Sequence, residues 1–172
     1  IFSGAIDSVM GDPENGSPVQ VFDSKKNFLG IGAFSPYSQI RVRMWSFENE
    51  EIDQNFFEKR IEVSIKRRSH LMKKYDDSAW RLIHAESDQI PGLIVDQYND
   101  MLVVQILSSG SEYYRNTIVD ALKKITGLNN IYERSDLDVR KMEGLEERTG
   151  AISGKVPHEI LIREGGHQFI VD

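Results

Sequence analysis

The densest group of chemically capable side chains lies in YERSDLDVRKMEGLEER (132–148). If that stretch is extended, Asp136 and Asp138 share one side. Two close carboxylates can separate their pKa values and pass a proton between them. No nucleophile, metal ligand or apolar pocket is evident beside the pair. A solvated loop with Asp and Arg paired is therefore the preferred reading, and a small hydrolase built on Asp136 and Asp138 ranks last. Phosphate loops fare no better. GAISGK (150–155) has Val156 after its lysine and the wrong spacing between its glycines; GIGAFS (30–35) lacks a third glycine and sits inside a strand. Both suit a turn or bulge. The histidines, His70, His84, His158 and His167, show no ligand spacing, and HEILI lacks the second histidine of a zinc protease.

A stronger signal is IRVRMWSF (40–47). Strict alternation puts Arg41, Arg43, Trp45 and Phe47 on one face and Ile40, Val42 and Met44 on the other. Cations beside rings on one β face suit RNA, because guanidinium meets phosphate and the ring stacks on a base. The competing account has Trp45 and Phe47 covering a second apolar layer, with the arginine stems lying across it. The segment that follows favours RNA. From Glu58 to Lys74 there are seven Lys/Arg against two acids, a local +5, in a chain whose net charge is −6.

These residues need elements to position them. The first third reads as short strands, VQVFD (19–23), FLGIGAFS (28–35) and IRVRMWSF (40–47), separated by turn-rich pieces, which suggests a small barrel. Gly30 and Gly32 ease a tight bend there or admit another backbone. Asp53 then caps a helix whose Phe57, Ile61 and Ile65 form the apolar stripe. Lys59, Lys66 and Lys73, and Arg60, Arg67 and Lys74, recur at seven and make columns along it. KYDDSA marks a joint, with a domain boundary near 74–77.

Beyond the joint, WRLIHAE (80–86), GLIVD (92–96) and MLVVQIL (101–107) read as strands, the last central because it is nearly all apolar. SGSEYYRNTIVDALKKITG reads as a helix, with a Ser109/Glu112 capping box, a stripe of Tyr114, Ile118, Leu122 and Ile125, and a stop at Gly127. NIYER and a hairpin turning on Gly165-Gly166 supply further strands. The fold class expected is α+β: a small β pseudo-barrel over 1–74 with a trailing basic helix, then, over 75–172, one main helix on a mixed or antiparallel sheet.

Composition is that of an ordinary globular chain, 40% hydrophobic and 28% charged. There is no cysteine, so disulfides, thiolate metal sites and Cys nucleophiles are excluded from this chain. No apolar run approaches the ~20 residues of a membrane span. A cytoplasmic location is the expectation.

The segments IFSGAI, GAFSPYSQIRVRMWSF, FFEKRIEVSIKRR, RLIHAESDQIPGLIVDQYNDMLVVQ and YERSDLDVRKMEGLEER, in that order, resemble the front part of the RlmI-type 23S rRNA (cytosine-C5) methyltransferases. The resemblance implies a PUA domain for RNA binding, then a central α+β domain. A Rossmann-like domain that binds S-adenosylmethionine and holds the chemistry would follow, beyond this chain. Carbon-5 of cytosine is a poor nucleophile, and such enzymes usually first add a cysteine thiolate to the neighbouring ring carbon. This chain has no cysteine and no Gly-rich strand-to-helix turn for a nucleoside cofactor.

The expectation is therefore a substrate-handling portion with no catalytic, cofactor or metal residue of its own. Its RNA contacts are expected from Arg41, Arg43, Trp45, Lys59, Arg60, Lys66, Arg67 and Arg68, with a second edge from Arg134, Arg140 and Lys141. The partner implied is 23S rRNA. Two alternatives stand beside this: a protein–protein or homodimerisation module joined through sheet edges, and the front end of a methyltransferase acting on a different rRNA base.

Overall fold

The computed structural model describes residues 1–75 and 77–172. Strands β1 (Pro18–Phe22), β2 (Phe28–Phe34) and β3 (Val42–Ser46) form an antiparallel sheet in the order β1-β2-β3. It stays open; the described strands do not close into a barrel. Gly30 serves close approach: its φ is +147°, and a Cβ there would lie 2.3 Å from the carbonyl oxygen of Ser46. The β2–β3 ladder passes from Gly32↔Met44 to Ile31↔Ser46, so Trp45 has no opposite number and forms a bulge. A bulge re-aims its side chain. Trp45 thus turns into the core, 3% exposed, while Phe47 beyond it is exposed.

The helix α1 (Gln54–Lys74) begins where the cap predicts: the Asp53 carboxylate accepts from the Phe56 N–H at 2.8 Å. Phe57 and Ile61 on its stripe are fully buried. A second sheet follows, built from β4 (Ala79–His84), β5 (Leu93–Tyr98), β6 (Met101–Ile106), β7 (Asn130–Ser135) and β8 (Arg148–Ser153) in that spatial order. The apolar β6 is its central strand. All pairings are antiparallel except β6–β7, whose parallel register requires a crossover. The crossover is helical and is broken at Tyr114 into α2 (Ser109–Tyr113) and α3 (Arg115–Thr126). Its cap is Ser108, which accepts from the Ser111 N–H, rather than a Ser109/Glu112 box. Glu112 is drawn away by Arg140 and Arg148, at 2.9 and 3.2 Å. Gly127 ends α3 in the left-handed region, as expected.

Alternation along the strands divides the second sheet. Leu93, Val95, Leu102, Val104, Ile106 and Ile131 pack with Phe57, Ile61, Ile118 and Leu122 of α1 and α3. Ile31, Ala33 and Trp45 of the first sheet belong to that same buried cluster. On the other face, Met101 packs with Ile160 and Ile162, which belong to the hairpin of β9 (Ile160–Glu164) and β10 (His167–Val171). The short α4 (Val139–Met142) lies between β7 and β8. The architecture is α+β with a mixed sheet. The joint expected near 74–77 includes Asp76, which lies outside the described residues.

Candidate nucleic-acid interface

The expected cations divide into those that hold the fold and those that face solvent. On α1 the division follows the helical wheel. The side chains of Lys59, Lys66 and Lys73 are exposed and make no hydrogen bond or ion pair among the described residues. Seven residues advance a helix by about 10 Å and leave a drift of only ~20°, so the three ammonium groups stand nearly in line. His70, also exposed, shares that outer face, whereas Lys74 continues the column of Arg60 and Arg67. Lys73 is the third member of the column, and its equivalence to Lys59 and Lys66 is the signal that sets it on the same exposed face.

The arginines of the same helix are used internally. Arg68 grips Asp88 with two nitrogens, at 3.0 and 2.6 Å, and also reaches the hydroxyl of Ser64 at 2.9 Å. Arg60 donates to the carbonyl and side chain of Gln89 and covers the Phe56 ring at 4.2 Å. Arg67 is between the two groups: it lies 3.6 Å from Asp88 yet is half exposed. Together these arginines clamp the turn Ala85–Asp88 against α1.

Burial drives the Asp88 carboxyl upward, but the Arg68 guanidinium and the His84 N–H outweigh it and hold the pKa below the usual value. Glu133 behaves alike: burial raises it, and Arg115 with Ser135 more than offsets that. A carboxylate whose folded pKa is depressed contributes stability above its unfolded pKa and loses it as pH falls through the folded one. Thermal melts taken from pH 6 downward should therefore hold until about pH 4, then fall steeply. Asp88→Asn should flatten part of that fall.

On β3 the structure corrects the sequence-level picture. Trp45 is no stacking platform: the bulge buries it among Phe56, Phe57 and Tyr114, with ring centroids 5.4–6.2 Å away. Arg43 spans Glu86 and Glu143, each at 3.1 Å, and is only 20% exposed. Arg41 donates to the Ser35 carbonyl at 2.9 Å. Arg43 is thus committed to two carboxylates of its own fold, while Arg41 is half-buried with one nitrogen engaged.

The second expected edge divides in the same way. Arg140 is not at the surface; at 1% exposed it donates to the carbonyls of Ile106 and Glu146 and to Glu112. Arg134 is exposed, 3.9 Å from Asp136. Lys141 is exposed between Asp138 and Glu147, at 2.9 and 2.8 Å. Asp136 and Asp138 thus pair with neighbouring cations rather than with each other. Among the described residues no group of His, Asp and Glu has the geometry of a metal site.

Residues 1–47 match the family model of a PUA-like domain. The whole chain is 50% identical to ribosomal RNA large subunit methyltransferase I of Tolumonas auensis and 43% identical to that of Alteromonas mediterranea. The resemblance to the RlmI-type methyltransferases holds from end to end. The chain spans 44% of the length of each of these curated relatives. Two solved structures share its fold at 20% identity. One, described as a SAM-dependent methyltransferase from Streptococcus mutans, superposes with a TM-score of 0.77 over 93% of this chain and 41% of its own. The other, a methyltransferase complexed with SAH, gives 0.78 over 91% and 40%.

The segments that carry the RlmI-type resemblance have clear structural duties here. RLIHAESDQ supplies the Asp88 clamp for α1. YERSDLDVRKMEGLEER supplies Arg140 and Glu143; the latter, 1% exposed, accepts from Arg43 and from the backbone and hydroxyl of Ser109. Both stretches tie neighbouring elements together, and the second also carries the exposed Arg134 and Lys141.

Proposed function

We propose that this chain is the RNA-handling portion of an S-adenosylmethionine-dependent rRNA methyltransferase, and that the part of its relatives outside the matched 44% carries donor binding and methyl transfer. The observation that carries RNA handling is the Lys59–Lys66–Lys73 line: exposed cations outside any ion pair, on a helical segment with seven Lys/Arg against two acids, in a chain whose net charge is −6. Like charges gathered without partners raise the local potential, and a polyanion relieves it by releasing counterions. Modification at carbon-5 of cytosine in 23S rRNA is the finer reading. It rests on the resemblance, and the absence of cysteine assigns the activating thiol to another part of the protein. No helix among the described residues is long and apolar enough to cross a membrane; the cytoplasm, where rRNA is met, is the location proposed.

The test is a binding titration of the chain against a structured rRNA fragment at several salt concentrations. The expected result is submillimolar affinity in low salt and a logarithmic slope of about −2 to −3, one step per phosphate neutralised. No binding at low salt would remove the proposal. A second reading, self-association, is favoured by one observation: Leu161, Phe169 and Ile170 on the β9–β10 hairpin are exposed. Light scattering on the free chain separates the two, since only self-association raises the mass without RNA.

A further inference from the structure

A cleft of about 690 Å³ opens where α1 ends and the second sheet begins. Met72, Trp80 and Leu128 contribute apolar surface, and Asp77, Gln97 and Asp100 contribute polar groups. None of these was part of the surface described above. Trp80 is held in one orientation: its indole N–H donates to the Asp77 carbonyl at 3.0 Å. With its polar atom committed, what an incoming group can meet is the ring itself.

The polar groups are biased towards acceptors. The Asp77 carboxylate takes the Gly165 N–H on one oxygen, and Asp100 takes the Asn130 amide on one of its own. Each has a second oxygen to offer. Gln97 commits its amide N–H to the Asn99 carbonyl at 2.7 Å, which leaves its carbonyl oxygen available. Such a cleft repels phosphate but suits a flat aromatic group that carries hydrogen-bond donors on its edge. Cations lie just outside it: Met72 belongs to the last turn of α1, directly before Lys73 and Lys74.

We propose that this cleft receives one unstacked RNA base bearing an exocyclic amino group, while the adjoining backbone runs onto the lysines of α1. The proposal rests on the RNA-handling reading and adds a base-selective element to it. Aromatic stacking secures any base. The carboxylates select those that present an amino group, such as cytosine or adenine, over uracil, which presents a carbonyl at the same position.

The molecule reports on the event itself. It has two tryptophans, and Trp45 is sealed in the core, so a stacking base quenches Trp80 alone. Titrating the chain with short oligo(C), oligo(A) and oligo(U) at fixed salt should show quenching and about tenfold tighter binding for the first two. Trp80→Leu should abolish the preference while leaving the salt slope unchanged. Asp100→Asn, an isosteric change that spares the fold, should bring oligo(U) level with oligo(C) and retain the quenching. If the leucine variant fails to fold by circular dichroism, the Asp100 variant and the quenching carry the test. Salt-dependent binding without quenching, or equal affinity for an abasic strand, would overturn the cleft proposal and leave the lysine line standing. No binding of any RNA would overturn both.

Discussion

Replacing Lys59, Lys66 and Lys73 together by glutamine is expected to flatten the salt dependence of RNA binding by about two to three units, at 0.7–0.9 per cation lost. The effect is large because none of these ammonium groups is held in an ion pair, even though the exposed Glu62 lies three and four residues from Lys59 and Lys66, so each is available to release a counterion from the RNA. Stability should barely move, since substitutions at exposed, uncommitted positions usually fall within about 0.5 kcal/mol. The informative control is Arg68→Gln. It removes one positive charge from the same helix, which would be worth about 0.7–0.9 of slope if it met a phosphate, but Arg68 is committed to Asp88. It should therefore lower the melting temperature and leave the slope nearly unchanged. If the triple variant keeps the wild-type slope, α1 is not the contact surface.

The second large effect is on folding. Arg140→Met should cost on the order of 3–5 kcal/mol, as expected when one partner leaves a buried ionic network. In a chain of this size that is a fall of roughly 6–20 °C in melting temperature. The side chain is 1% exposed and joins the end of β6, through the Ile106 carbonyl, to α2 through Glu112 and to the approach to β8 through the Glu146 carbonyl. Methionine fills part of the space but takes the guanidinium donors from the Ile106 and Glu146 carbonyls and leaves Glu112 with Arg148 alone at short range. Lys141→Met, one residue on, removes an exposed cation and should change the melting temperature by little. Differential scanning calorimetry on the two variants gives the comparison. Equal melting temperatures would mean that Arg140 does not hold these elements together.

Those two residues also show where sequence reasoning reaches and where it stops. Arg140 and Lys141 are adjacent, alike in charge, and set in the same polar stretch. Local pattern gives no reason to send one to the core and the other to water. That decision is made by acceptors on β6 and α2, roughly thirty residues away in the chain. Trp45 is a different case. Alternation places it correctly relative to its neighbours only while the ladder is regular, and one unpaired residue in β3 is enough to turn it inward. A bulge depends on the partner strand and leaves little local trace.

What was legible rests on local chemistry. The Asp53 cap, the Phe57–Ile61 stripe, the Gly127 stop and the central place of the apolar β6 all follow from periodicity and capping. The lysine line was legible too, since a repeat of seven defines a column on a helix. Which column faces outward was not: Arg60, Arg67 and Lys74 recur just as regularly, and only the position of the Ala85–Asp88 turn and of Gln89 shows that Arg60 and Arg67 lean on protein. Trp80 was read merely as the opening of a strand, because a cleft forms between elements and has no sequence pattern of its own.

The PUA-like match ends at residue 47, but the packing does not. Ile31, Ala33 and Trp45 share their interior with Phe56, Phe57 and Leu122, and a Cβ on Gly110 would come within 2.4 Å of that of Ala33. The matched segment is therefore a poor cassette for transplantation. Excised alone, it would show an indole and several aliphatic groups to water and invite aggregation; grafted onto another host, it would lack the aromatic seat built for it here.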